Sequence, residues 1–170
     1  MTQAEPALTC RKAESNEDAF KIGRLLVEMA QEVARVHMGE KDFIDAYSEV
    51  LEIVKEGRAF MVQDERGLVV ASLGLQWANP WYAPRARVLV ENWLYVLPAL
   101  RGGKSIKLLE AAAVEIADEL QTPIFLKYFD PARLCSEKGR LYVGEEKGYI
   151  PTGRIVRIAP SGVPVVDSHI

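Results

Sequence analysis

Glu91-Asn-Trp-Leu-Tyr-Val-Leu-Pro-Ala-Leu-Arg-Gly-Gly-Lys-Ser-Ile-Lys-Leu-Leu-Glu110 passes from an apolar strand pattern, through a glycine-rich basic turn, into an amphipathic helix pattern. A helix N-terminus leaves its first N–H groups without intrahelical acceptors and carries about half a positive charge, so it is a natural seat for an anion. Gly102 and Gly103 let the backbone approach such an anion closely, while Arg101 and Lys104 add formal charge. The stretch reads as a phosphate cradle.

The pattern upstream supplies two helices and a hairpin. Leu8–Lys12 has the character of a short first strand, and residues 1–7 form a polar tail. The cluster Ser15-Asn-Glu-Asp18 looks like a capping box, after which Ile22, Leu25, Leu26, Met29, Val33 and Val36 recur at spacings of three and four. That spacing predicts one continuous helix to about Met38, broken at Gly39. Phe43, Tyr47, Val50, Leu51 and Val54 predict a second helix that Gly57 closes. Ala59–Val62 and Leu68–Trp77, joined through Asp64-Glu-Arg-Gly67, read as a hairpin.

After a loop containing Asn79, Pro80, Trp81, Tyr82 and Pro84, Arg87–Leu97 reads as a long strand covered on both faces. The helix from Ser105 to Leu120 carries Ile106, Leu109, Ala113, Ile116 and Leu120 on one stripe. Pro123–Phe129 is a further strand, parallel to the preceding one if the helix is a right-handed crossover. A weak helix over roughly 132–146 comes next, and Gly148–Gly153 turns into a final strand, Arg154–Ile158.

Composition narrows the functions open to this chain. Its 170 residues suit a single domain, 1–170, that buries about 70% of its unfolded surface and needs no staple. With 21 basic and 24 acidic residues, no basic field argues for nucleic acid and no polybasic run for a membrane surface. Cys10 and Cys135 are too few for a disulfide framework, and no apolar run reaches the length of a membrane span, so cytoplasmic residence is the default expectation. His37 and His169 are the only histidines, which makes a histidine-centred triad or a metal site hard to assemble; no metal is expected.

Gly103-Lys104-Ser105 matches the end of a nucleotide P-loop, but Pro98 stands where that motif needs its first glycine. The element order also argues against it, because a P-loop normally opens a parallel sheet. Three other matches agree in order and separation. Leu94-Tyr-Val-Leu-Pro-Ala-Leu-Arg-Gly-Gly103 with Leu108-Leu109 is similar to a strand-ending V-x-P-x-x-R-G-x-G with its following L-L; Leu141-Tyr142 with Lys147-Gly148-Tyr149 is similar to an L-Y-x-x-x-G-F/Y helix end; and Gly67-Leu-Val-Val-Ala71 is similar to the start of a core strand. Together they resemble the GNAT superfamily of acetyl-CoA dependent N-acetyltransferases over nearly the whole chain. The resemblance implies an α/β (α+β) fold, with a mixed, mostly antiparallel central sheet of six or seven strands and about four helices on both faces. Lys104 and Ile106 depart from the family's R-x-x-G-x-G/A turn, and Tyr142 lies six residues before Gly148 instead of about four.

The resemblance also implies roles. Amides of Arg101, Gly102, Gly103, Lys104, Ser105 and Ile106 would bind the diphosphate of acetyl-CoA, the co-substrate, and the strand edge at Tyr95, Val96 and Leu97 would meet its pantetheine arm and acetyl oxygen. Glu91, the one carboxylate inside the long apolar strand, is the candidate base; the same residue also reads as a partner for Arg85 or Arg87. Tyr142 is the candidate proton donor to the leaving thiolate, and equally reads as a core tyrosine. Trp77, Trp81, Tyr82 and Trp93 are candidate walls for the acceptor, although large strand aromatics are more often core. The acceptor is expected to be a primary amine on a small molecule or a protein. A homodimer is compatible with the chain, as is a non-catalytic acyl-CoA-binding or protein-interaction module of the same fold.

Overall fold

A computed structural model of the chain describes residues 7–34, 37–79, 84–101, 103–127, 149–152 and 155–158. Strand β1 (Thr9–Lys12) leads to helix α1 (Asn16–Met29), a single π-turn (Ala30–Ala34) and helix α2 (Glu40–Lys55). Strands β2 (Ala59–Gln63), β3 (Val69–Ala78) and β4 (Val88–Val96) come next. A 3-10 turn (Pro98–Leu100) and helix α3 (Lys104–Leu120) precede β5 (Ile124–Lys127), β6 (Tyr149–Thr152) and β7 (Ile155–Ile158). The strand order is β1-β2-β3-β4-β5-β7-β6. β1–β2, β2–β3, β5–β7 and β7–β6 pair antiparallel, whereas β4 and β5 pair in parallel, so the fold is α+β around a mixed sheet.

Contacts divide the chain into two compact units, one of residues 1–76 and 92–112, the other of residues 77–91 and 113–170. The first holds a core of Ala13 from the loop before α1, Ala19, Ile22, Leu25 and Leu26 from α1, Val50, Ile53 and Val54 from α2, and Ala59, Met61, Val69, Trp93 and Tyr95 from the strands. Of the apolar stripes read from the sequence, Ile22, Leu25, Leu26, Val50 and Val54 fill this core, with Met29, Tyr47 and Leu51 packed partly buried against it. In the second unit Leu89 pairs with Ile124 and Val90 with Phe125, and Leu89, Ile124, Leu126, Ala113, Ile116 and Ala117 are buried.

Local chemistry explains the boundaries. Ser15 caps α1: its Oγ accepts from the Asp18 N–H at 3.0 Å, and Asp18 accepts in return from the Ser15 N–H at 3.3 Å. α2 ends in a Schellman motif, with Gly57 at φ +69°, the Arg58 N–H donating to Ile53 and the Gly57 N–H to Val54. In the hairpin, Asp64 Oδ1 accepts from the N–H groups of Arg66 and Leu68, each at 2.9 Å, so the turn residues are tied by one carboxylate.

Three expectations change. The first helix does not run on to Met38: its α-helical part stops at Met29 and one π-turn takes over to Ala34. Strand β6 occupies a stretch that reads as a turn, since Pro151 suggests a break; β6 lies at the end of the strand order, where a proline is tolerated. Strand β4 is not equally covered on its two faces: Leu89, Glu91, Trp93 and Tyr95 are buried, while Val90, Asn92, Leu94 and Val96 are half-buried. The weak helix over 132–146 lies outside the described residues.

Candidate functional site

The turn from β4 into α3 lies in the first unit. Pro98 opens the 3-10 turn, in which Leu100 donates to the Leu97 carbonyl at 2.9 Å and Arg101 to that of Pro98 at 3.3 Å. The backbone N–H of Arg101, counted among the cradle donors from sequence, is thus engaged by its own turn. Its guanidinium is engaged as well. Nε donates to the Val96 carbonyl at 2.9 Å, and Nη1 and Nη2 fork onto the Glu32 carboxylate at 2.5 Å each. Tyr95 donates its hydroxyl to Glu32 Oε2 at 2.8 Å, and the Arg101 guanidinium lies 5.4 Å from the centre of the Tyr95 ring.

Electrostatics follow from those contacts. The hydrogen bonds from Arg101, and then from Tyr95, hold the Glu32 carboxyl below the ordinary carboxylate range. Burial, with the Glu32 hydrogen bond second, pushes the Tyr95 phenol up to about 12. Glu32 is therefore a fixed anion and Tyr95 a fixed neutral donor across physiological pH. Sequence reading missed Glu32. It stands among several carboxylates of the first helical segment, and its partners lie more than sixty positions away.

Past the turn, Gly103 is half-buried, Lys104 exposed, Ser105 fully buried and Ile106 half-buried. Ser105 Oγ has no hydrogen-bond partner among the described residues, although it sits in the first turn of α3. A buried polar atom without a partner costs about 1–3 kcal/mol, so it calls for a physical reason. Gly102 lies outside the described residues.

The strand edge is partly used. Leu97 donates its N–H to the Val70 carbonyl on β3 at 3.0 Å, and the Val96 carbonyl is the one taken by Arg101. These two groups belong to one peptide plane and point to opposite sides of the strand. The Val96 N–H consequently faces away from β3. Glu91 is buried, with 3% of its surface exposed, on the same strand face as Trp93 and Tyr95. Tyr142, Trp81 and Tyr82 lie outside the described residues.

Trp93 is a core residue and not an acceptor wall. It is buried, its Nε1 donates to Ser72 Oγ at 3.0 Å, and that hydroxyl donates to the Phe60 carbonyl at 2.9 Å. Gly74 makes room for its ring: a Cβ there would stand 2.3 Å from ring carbons. Trp77 is half-buried with the Arg87 guanidinium 4.4 Å from its ring centre. Among the described residues no group of three or more His, Cys, Asp or Glu side chains could hold a metal ion, and no helix is long and apolar enough to cross a membrane.

No family model matches the chain, and no curated protein sequence matches it. Solved structures do. An aminoglycoside N-acetyltransferase, AAC(6')-Iy, in complex with CoA superposes with a TM-score of 0.60 at 14% identity, over 85% of this chain and 91% of that one. The histone acetyltransferase HPA2 and related acetyltransferase from Corynebacterium glutamicum gives 0.58 at 16% identity, over 94% and 99%. This chain has the GNAT fold. A GCN5-related N-acetyltransferase from Kribbella flavida also gives 0.58, at 17% identity over 85% of this chain, which spans 33% of that longer protein. On this GNAT fold the sequence and the structure bring together Tyr95, Arg101 and Glu32 at one end of β4, directly before the N-terminal turn of α3.

Proposed function

We propose that the protein is an N-acetyltransferase that binds acetyl-CoA at the N-terminal turn of α3 and passes its acetyl group to a primary amine. The observation that carries this reading is Ser105: a buried hydroxyl without a partner among the described residues, in the first turn of a 17-residue helix that follows a pair of glycines in the sequence. An oxygen of a diphosphate is the kind of acceptor that hydroxyl and the neighbouring N–H groups would take. The GNAT fold and the CoA complex of the aminoglycoside enzyme support the same ligand.

Acetyl-CoA brings an activated thioester to the site. Ser105 Oγ and the first N–H groups of α3 would hold its diphosphate, with the exposed Lys104 adding charge. The Val96 N–H, turned away from β3, is the strand donor left for the pantetheine arm or the acetyl oxygen. Glu91, buried in β4, would take the proton from the attacking ammonium, directly or through water. Tyr142 would return a proton to the departing thiolate. The acceptor is left at the level of a primary amine, on a small molecule or a protein.

Calorimetry with coenzyme A tests the binding, and an amine panel with acetyl-CoA tests the transfer. Micromolar binding with turnover is the expected result; no heat at millimolar ligand contradicts it. A second reading, a non-catalytic acyl-CoA-binding module, draws on the Arg101–Glu32 pair, which cancels a formal charge next to the cradle. Binding without turnover, unchanged by Glu91→Gln and Tyr142→Phe, would favour it.

A further inference from the structure

Arg101 immediately precedes the glycine turn, yet its side chain turns back. It spans from the Val96 carbonyl, past the Tyr95 ring, to both oxygens of Glu32. Glu32 in turn binds Tyr95 from the π-turn. One carboxylate therefore gathers the end of β4 and the residue that opens the cradle, and ties both to the segment after α1. An isolated surface ion pair is worth little, but a bidentate fork with two further contacts has the geometry in which such pairs hold.

We propose that Glu32 is a positioning residue for the diphosphate cradle: it locks Arg101 as a strut that fixes the turn entering α3, so Arg101 serves the anion by holding the backbone and not by lending it charge. This rests on the acetyl-CoA reading of the same turn. It makes a prediction opposite to that of simple electrostatics. Removing an anion beside a phosphate site should tighten binding by Coulomb attraction alone; removing this one loosens the strut and weakens it. Lysine at position 101 keeps the charge and loses the fork, so it should not substitute.

The test uses the full chain and coenzyme A as probe. Calorimetry is paired with hydrogen exchange at the Leu100 and Arg101 amides, which donate within the 3-10 turn. Glu32→Gln and Arg101→Lys are each expected to weaken coenzyme A by about threefold to fivefold, the size of a good exposed charge pair. The double variant should be no weaker than the worse single one. All three should exchange those amides faster. Glu32→Gln protein that binds coenzyme A as tightly as the parent, or more tightly, overturns the proposal, as does Arg101→Lys protein with parental affinity. If the parent itself takes up no coenzyme A, the proposed function falls; faster exchange in Glu32→Gln would then still support the strut, and unchanged exchange would remove it too.

Discussion

Two arginine–carboxylate forks in this molecule use the same chemistry to different ends. Arg11 meets Asp18 at 2.6 and 2.9 Å, and Asp18 also takes N–H groups from Glu14 and Ser15. Only 6% of the Asp18 side chain is exposed. Arg101 meets Glu32 at 2.5 Å twice, but those side chains are 44% and 36% exposed. The first fork is built into the start of a helix and satisfies backbone donors that would otherwise be orphaned. The second lies at the surface and binds one backbone carbonyl and one phenol. Equal geometry therefore does not mean equal contribution: burial and the number of backbone groups served decide whether a fork stabilises the fold or arranges a site.

The sharpest way to break that contrast is Asp18→Ala, which removes together the carboxylate that closes the capping box and the buried half of the pair with Arg11. Urea unfolding should show a loss of about 2–4 kcal/mol. Acid titration comes next. The Arg11 hydrogen bond, aided by the Glu14 and Ser15 N–H groups, holds Asp18 far below the usual carboxylate range. A depressed folded-state value means the stabilisation is complete above the unfolded value and is lost as pH falls below it. The urea midpoint should thus drop as the pH is lowered below about 4, by about 1–2 kcal/mol in stability, and Asp18→Asn protein should lose most of that slope.

Smaller effects are expected at the second fork. Tyr95→Phe keeps the buried ring and removes one hydrogen bond to Glu32, costing about 1 kcal/mol in urea unfolding. Arg101→Ala should cost only about 0.5 kcal/mol in stability, since its pair is half-exposed, while weakening coenzyme A by about fivefold. If Arg101→Ala destabilised the fold as much as Asp18→Ala, the two forks would have the same role.

Local signals made much of this architecture legible. Ser15 and Asp18 are three residues apart, so their capping box shows in sequence; Gly57 and Gly67 mark turns that need positive φ, and both adopt it. The apolar spacing of α3 reports the buried face at Leu109, Ala113 and Ile116, but Ile106 is half-buried and Leu120, at the helix end, is exposed. Sequence reading passed over Gly74 in β3, although a glycine inside a strand is the local sign of a close approach, here by the Trp93 ring. The other features that stayed hidden are non-local. Glu32 and Arg101 are 69 positions apart, and a single π-turn has no spacing of its own to betray it. The engagement of the Arg101 N–H by Pro98 depended on the 3-10 turn, which the proline alone does not specify.

The most direct test of the central claim is amide chemical-shift mapping as coenzyme A is titrated into the isotopically labelled protein. Shifts concentrated at Gly103 to Lys107 and at Val96, abolished when a bulky residue replaces Ser105, are the expected result. Shifts absent there, or spread over the α1–α2 surface instead, would contradict a diphosphate seated on the first turn of α3.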